Sequence, residues 1–268
     1  MNDMKRISAL IASAIMLASC MINFGGTTVT GYTEEGCDFS EVRQMPMFDA
    51  INVAGPVNVY YVQSNESKVL VEGKEEFVGK VITEIKDEDL DIDLEPGTYR
   101  NLVLKITVYA PIVDEFRVSG SGNLSDISGH TSKDDIEYKT SGSGDLILAG
   151  ISTSDDIEIQ STGSGDVYAE NISCKGLSAK FSGSGDMKMT GAVVKNDAEI
   201  SVSGSGDVRM DAEIGNDLEA RINGSGDMKL NGSCNKADLK ITGSGDMSGN
   251  LNYKKITTSC SGSGRINL

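Results

Sequence analysis

The sequence predicts an all-β fold, a single-stranded right-handed parallel β-helix (solenoid) with coils of about 20 residues, from three observations. The first is a Gly-Ser-Gly triplet that recurs eight times, centred on Ser121, Ser143, Ser164, Ser184, Ser205, Ser225, Ser244 and Ser263. The spacings are 22, 21, 20, 21, 20, 19 and 19, and so little drift over so many copies marks a chain that stacks one unit upon the next. The second is alternation on both sides of the triplet. The third is that the residue two past each serine is Asp in the six inner copies but Asn123 in the first and Arg265 in the last, as befits end coils.

Each coil reads as two inward strands joined at the triplet. Five residues before the serine stand Phe116, Tyr138, Ile159, Ala179, Ile200, Ala220, Leu239 and Thr258, and three before it stand Val118, Thr140, Ser161, Phe181, Val202, Ile222, Ile241 and Cys260. Charged and polar residues lie between them, the pattern of a half-buried strand. Three residues after the serine the series is Leu124, Leu146, Val167, Met187, Val208, Met228, Met247 and Ile266. The glycines are read as supplying positive φ at the corner between the strands. A third short segment or loop returns the chain. Coils stacked at ~4.8 Å make a rod on the order of 35 Å long, and right-handed winding follows the rule for parallel crossovers. A β-prism or propeller is the alternative architecture.

The flanking regions divide as follows. Residues 1–19 read as a cleaved export signal, with Lys5 and Arg6 ahead of an apolar run from Ile7 to Leu17 that is too short to span a bilayer. Leu17-Ala18-Ser19-Cys20 looks like a lipobox, so Cys20 is the expected lipidation site, and residues 20–45, rich in Gly and Thr, read as a tether. Residues 46–118 lack the triplet but alternate, with turns at Gly55-Pro56, Ser64-Asn65 and Pro96-Gly97, and read as the first coils or a capping sheet of the helix that residues 119–268 complete.

Composition narrows the partners. The net charge is −16, or −17 once residues 1–19 are removed, which repels nucleic acid and anionic lipid heads but admits metal cations and neutral polymers. With no Trp and 5% aromatic residues, the core draws on Ile, Leu, Val, Met and Ala. Four thiols remain after Cys20. Cys174 and Cys234 fall in the same return segment three coils apart, about 14 Å, beyond disulfide reach, and Cys260 is expected to point inward. No disulfide is therefore expected among these three, and the pairing of Cys37 stays open.

Three features bear on function. Asp145, Asp166, Asp186, Asp207, Asp227 and Asp246 form a column whose mutual repulsion needs an offset. Either each carboxylate accepts hydrogen bonds within its own turn, aided by the basic residues two positions on, or the column is a weak Ca²⁺ ladder. Ile147, Tyr168, Lys188, Arg209 and Lys229 make a mixed aromatic and basic stripe suited to an extended ligand such as a glycan or a partner protein. His130 is the single histidine, expected in a loop, so multi-histidine metal sites and histidine triads are excluded; no metal site and no cofactor are established. A polysaccharide lyase or glycosidase is weighed as the enzyme alternative, but a uniform ladder supplies no pair of carboxylates with unequal pKa, and no enzyme is expected. A purely structural envelope scaffold is the third reading.

The segments FDAINVAGPVNVYYV, KVLVEG, DLDIDL and LKITVYAPIVDEFRVSGSGNL, followed by the GSGD series, resemble the "putative auto-transporter adhesin, head GIN domain" family over roughly residues 48–265. The resemblance implies a β-helix and an adhesin role at the cell envelope, lipid-anchored to a bacterial membrane, with no catalytic residues.

Overall fold

The computed structural model describes residues 22–24 and 26–268; the export signal expected over 1–19 and the lipidation site at Cys20 lie outside the described residues. The chain opens with β1 (Ile22–Phe24) and β2 (Thr27–Thr33), then β3 (Phe39–Gln44). β1 pairs antiparallel with β2. Residues 27–33 and 39–44, which compositional reading assigns to a tether, are therefore strands. Thr27 and Val29 are buried, and the Tyr32 hydroxyl donates to the Leu104 carbonyl at 2.7 Å. Their alternation is too short to stand out from the Gly and Thr around it, and only the receiving strand makes it a strand.

β4 (Ala50–Val53) and β5 (Val59–Gln63) form the first coil, and an insertion then seals the end beneath it. The insertion comprises β6 (Lys68–Gly73), the one-turn helix α1 (Glu75–Val78), β7 (Val81–Lys86), β8 (Asp89–Leu94) and β9 (Thr98–Ala110). β6 pairs antiparallel with β3 and β9, and β7 with β8, while β8 and β9 run parallel beneath β4 and β5. Val69, Val71, Leu90, Ile92, Leu102 and Leu104 are fully buried between the cap and the first coil.

Above this cap the chain climbs in register. On the first side β10 (Glu115–Val118), β13 (Ile136–Thr140), β16 (Ile157–Gly163), β19 (Leu177–Gly183), β21 (Ala198–Gly204) and β23 (Asp217–Gly224) pair parallel in sequence. On the second side β11 (Leu124–Asp126), β14 (Leu146–Ala149), β17 (Val167–Glu170), β20 (Met187–Val194) and β22 (Val208–Ile214) do the same. The return segments are short strands, β12 (Thr131–Ser132), β15 (Ser152–Thr153) and β18 (Ser173–Cys174), and higher up they merge into β20, then into β24 (Met228–Gly243) and β25 (Met247–Gly262), with β26 (Ile266–Asn267) last. The expected parallel solenoid is the fold.

The inward rows are those of the alternation. Leu124, Leu146, Val167, Met187, Val208, Met228 and Met247 are each at most 1% exposed. Where the row three before the serine turns polar, the corner satisfies it: Thr140 Oγ1 donates to the Gly144 carbonyl at 3.2 Å. Cys260 donates likewise to Gly264, at 3.0 Å, but it is exposed, contrary to expectation, because β26 pairs with β25 only at Met247 and Ser248 and leaves its part of the last coil uncovered. Cys37, Cys174, Cys234 and Cys260 are all free thiols, and burial pushes the Cys174 thiol up to about 12.

His130 sits in a loop, as the sequence reading has it, yet it belongs to the core. Its backbone lies in the connection from β11 to β12, but the imidazole is fully buried. Nδ1 lies 2.8 Å from Asp126 Oδ2, and the Tyr138 hydroxyl donates to the same oxygen at 2.7 Å. Burial, with the Asp126 charge adding to it, holds the Tyr138 phenol well above its ordinary range, so it stays a donor. Phe116 stacks on Tyr138 with ring centroids 4.9 Å apart. This polar plug locks the first full triplet coil to the one above it.

Each glycine of the triplet has its own job. The first takes positive φ from Gly163 upward, for instance +143° at Gly204. The second does not; a Cβ on Gly206 would stand 2.0 Å from the Gly185 carbonyl oxygen one coil below. Close stacking of backbone on backbone, more than left-handed φ, therefore demands the second glycine. Gly206→Ala is expected to destabilise the chain by about 2–4 kcal/mol in urea unfolding, against ~1–2 kcal/mol for Gly36→Ala, where φ is +84° but nothing lies within 4 Å. Equal losses at the two positions would show that stacking distance is not the constraint.

Candidate ligand-binding face

The aspartate column is a hydrogen-bonded ladder between coils. Asp145 Oδ1 accepts from the backbone N–H of Asp166 at 2.9 Å, Asp166 Oδ1 from that of Asp186 at 2.9 Å, and Asp186 Oδ1 from that of Asp207 at 2.8 Å. Asp207, Asp227 and Asp246 continue it to the N–H groups of Asp227, Asp246 and Arg265, each at 2.8 Å. The sequence reading placed these bonds within each carboxylate's own turn; they run to the next coil instead. The cause is the corner, where the strand ladder breaks and each of these N–H groups finds its acceptor in the side chain below it.

The ladder begins lower than the triplets do. Asn123 Oδ1 accepts from Asp145 N–H at 2.9 Å, and Asn58 Oδ1 from Asn123 N–H at 3.1 Å. Gly55-Pro56-Val57-Asn58 is thus a ninth corner, in register with Gly120 to Asn123, hidden in the sequence because the cap insertion separates it from the rest. Asn in the two lowest positions suits their burial: Asn58 is only 4% exposed. Asp145 is the next rung, and burial holds its carboxyl above the ordinary aspartate range; the N–H of Asp166 pulls it down and the Asp166 charge pushes it up.

The second side carries the predicted stripe. Ser125, Ile147, Tyr168, Lys188, Arg209 and Lys229 stand in one column, coil over coil. Ile147 is partly buried, Tyr168 is 41% exposed, and the three cations are exposed. Tyr168 donates from its hydroxyl to Asp166 Oδ2 at 3.2 Å. Sequence reasoning expected Lys188, Arg209 and Lys229 to neutralise the aspartates, yet among the described residues none of the three enters an ion pair within 4.0 Å.

The first side is the opposite case. Glu115, Glu137, Glu158, Glu199 and Glu219 alternate with Arg117, Lys139, Lys180 and Arg221, and the charges close on one another. Lys139 reaches Glu137 at 2.5 Å and Glu115 at 3.3 Å, Lys180 reaches Glu158 at 3.3 Å, and Arg221 reaches Glu199 at 2.7 Å as well as Glu219. Hydrogen bonding from Gln160, with Lys180 adding to it, holds Glu158 below its ordinary range.

A groove of about 700 Å³ runs along the edge of that side, lined by Asp156, Glu158, Asp197, Glu199 and Asp217. At its lower end carboxylate oxygens of Asp135, Asp155 and Asp156 come within 4.8 Å of one another. The aspartates nearest to a cation-holding arrangement are therefore not those of the expected ladder, whose Oδ1 atoms are already engaged. A sequence signal for the trio exists in the doublets Asp134-Asp135 and Asp155-Asp156, 21 residues apart. The trio carries its own counter-charge, with Lys175 Nζ 2.8 Å from Asp155.

The model of the "Putative auto-transporter adhesin, head GIN domain" family matches residues 47–211 and 192–268. The chain belongs to this family. Three solved structures share the fold of this head GIN domain: a putative lipid binding protein from Parabacteroides distasonis (23% identity, 88% of this chain and 98% of that one, TM-score 0.73), a putative adhesin from the same organism (16%, 88% and 99%, 0.77) and a putative adhesin from Bacteroides fragilis (19%, 88% and 98%, 0.61). No curated protein matches. The family and these neighbours are described as adhesins or binding proteins, not as enzymes, and an adhesin-like family suggests the cell envelope or surface.

The ladder makes a distinct prediction for Asp145. Asp145→Asn keeps the Oδ1 acceptor, as Asn123 does, and removes a charge that folding disfavours; Asp145→Ala strands the Asp166 N–H, at a cost of about 1–3 kcal/mol. Because folding raises this pKa, the aspartate's contribution to stability is present below the unfolded value of ~4 and is lost as pH rises through the folded value. The Asn variant should match or exceed the parent at pH 7, with its relative advantage shrinking as the pH falls toward 4. Melting curves across pH 3–7 check this, and an Asn variant as unstable as the Ala variant would refute the ladder.

Proposed function

We propose that this head GIN domain is the binding module of a cell-envelope lipoprotein, held to a bacterial membrane through Cys20 and engaging an extended ligand, a glycan or an envelope or host protein, along Ile147, Tyr168, Lys188, Arg209 and Lys229. The observation that carries the reading is the contrast between the two broad sides. On the first side Arg117, Lys139, Lys180 and Arg221 are spent on carboxylates, so a ligand beside them must break ion pairs before it gains any contact. On the second side Lys188, Arg209 and Lys229 enter no ion pair among the described residues, and the exposed Tyr168 ring beside them offers an apolar contact.

The adhesin descriptions of the family and of two neighbours agree with a binding role, and the reading requires neither catalysis nor a cofactor. A lyase or glycosidase would need carboxylates of unequal acidity facing a substrate. Burial sets the acidity of Asp145 apart, but its task is structural, as each ladder aspartate already holds the next coil through Oδ1. The anchor reading is supported by the lipobox-like Leu17-Ala18-Ser19-Cys20.

Two measurements test these assignments. Metabolic labelling with palmitate is expected to mark the parent chain and not Cys20→Ala; retained label would remove the anchor. A screen of immobilised glycans and envelope or host proteins is expected to find a ligand whose affinity falls about tenfold, or ~1.4 kcal/mol, in Tyr168→Ala. Unchanged binding in that variant would take the ligand off this face.

A further inference from the structure

We infer that the ligand of this face is a neutral polysaccharide lying along the solenoid axis with one sugar per coil, an inference that rests on the face being the binding surface. Each ladder aspartate stands at the corner two residues before the stripe position, and the Tyr168–Asp166 hydrogen bond shows that side chains at these two positions can meet on one face; in the next three coils the corresponding pairs are Asp186 with Lys188, Asp207 with Arg209 and Asp227 with Lys229. The carboxylate's Oδ1 is committed to the N–H of the next coil, which fixes its direction. Among the described residues, Oδ2 of Asp186, Asp207 and Asp227 accepts no hydrogen bond, and no cation of the stripe closes on it within 4.0 Å. Each of these three coils therefore presents one oriented acceptor and one adjacent donor group, both unspent.

A hydroxyl is donor and acceptor at once, and two neighbouring hydroxyls on a sugar ring match such a pair: one donates to the carboxylate and the other accepts from the ammonium or guanidinium. The fourth coil, one below Lys188, differs in the useful way. There Tyr168 replaces the cation, its hydroxyl closes on Asp166, and its exposed ring offers a flat apolar surface for the carbon face of a pyranose. The coil spacing of ~4.8 Å is of the same order as the advance of one pyranose in an extended chain, so successive sugars of a linear glycan come to lie over successive coils.

Other ligand classes fit less well. A polyanion would lie against the carboxylate ladder of a chain whose net charge is −16. A polycation would meet Lys188, Arg209 and Lys229, and would be drawn instead to the groove lined by Asp156, Glu158 and Asp197. A peptide adding as a strand needs free backbone groups, but the strands of this face are paired with a coil above and a coil below.

The test is calorimetric titration of the full chain with linear neutral oligosaccharides of two to six sugars (cello-, xylo- and manno-series), with polygalacturonate and with chitosan oligomers. Affinity for at least one neutral series is expected to climb with each added sugar and level off at about four, the number of coils from Tyr168 to Lys229. It should fall tenfold or more in Arg209→Met, and stay unchanged in Lys180→Gln on the first side. Melting temperatures confirm that both variants fold. Binding of only the charged polymers, no dependence on chain length, or no binding of any neutral series overturns the glycan inference. Should a protein or charged polymer found in the wider screen still lose affinity in Arg209→Met, the face remains the binding surface and the sugar assignment alone fails; should Arg209→Met and Tyr168→Ala leave all binding intact, both fail.

Discussion

Backbone stacked directly upon backbone is the constraint from which the rest of this molecule follows. At each corner the carbonyl of one coil sits so close beneath the next that a Cβ would overlap it, as at Gly206 over Gly185. That proximity lets the Ser205 N–H reach the Gly183 carbonyl at 2.9 Å and holds the two flanking strands in register. A slip of one residue would turn every inward side chain outward. Once the corner is locked, columns of one chemical character are unavoidable, whether or not the charge they accumulate is favourable.

The aspartate ladder shows how that cost is met. Stacked carboxylates repel, yet each Oδ1 accepts an N–H that the corner would otherwise leave without a partner. The interaction that the repeat makes electrostatically expensive is the one that closes its backbone accounting. At the lower end, where burial is deepest, Asn58 and Asn123 do the same work without the charge. Asp145 sits at the boundary between the two solutions.

The proposed binding face draws on what the ladder leaves over. Arg117, Lys139, Lys180 and Arg221 on the first side pair off with carboxylates along and across the stack. On the second side the ladder takes one oxygen of each carboxylate and leaves the neighbouring cations unengaged, so a regular row of donors and acceptors faces solvent at the pitch of the coil. Under the proposed reading, the scaffold's periodicity passes into the spacing of the contacts offered to a ligand.

The sequence alone determined the period, the inward rows, the stripe and the distance between Cys174 and Cys234, because in a stacked fold sequence separation converts to height and alternation to side. Tertiary structure decided the rest. Burial of His130 depended on Asp126 and Tyr138 arriving from different strands, and the strands in residues 27–44 existed only once Leu104 and the cap insertion were there to receive them. The corner at Gly55 to Asn58 lay 65 residues from its neighbour and lost its serine, so register, not motif, revealed it. Which acceptor each N–H chose, and which charges met, were settled by distances between coils. Those distances are not written in any one of them.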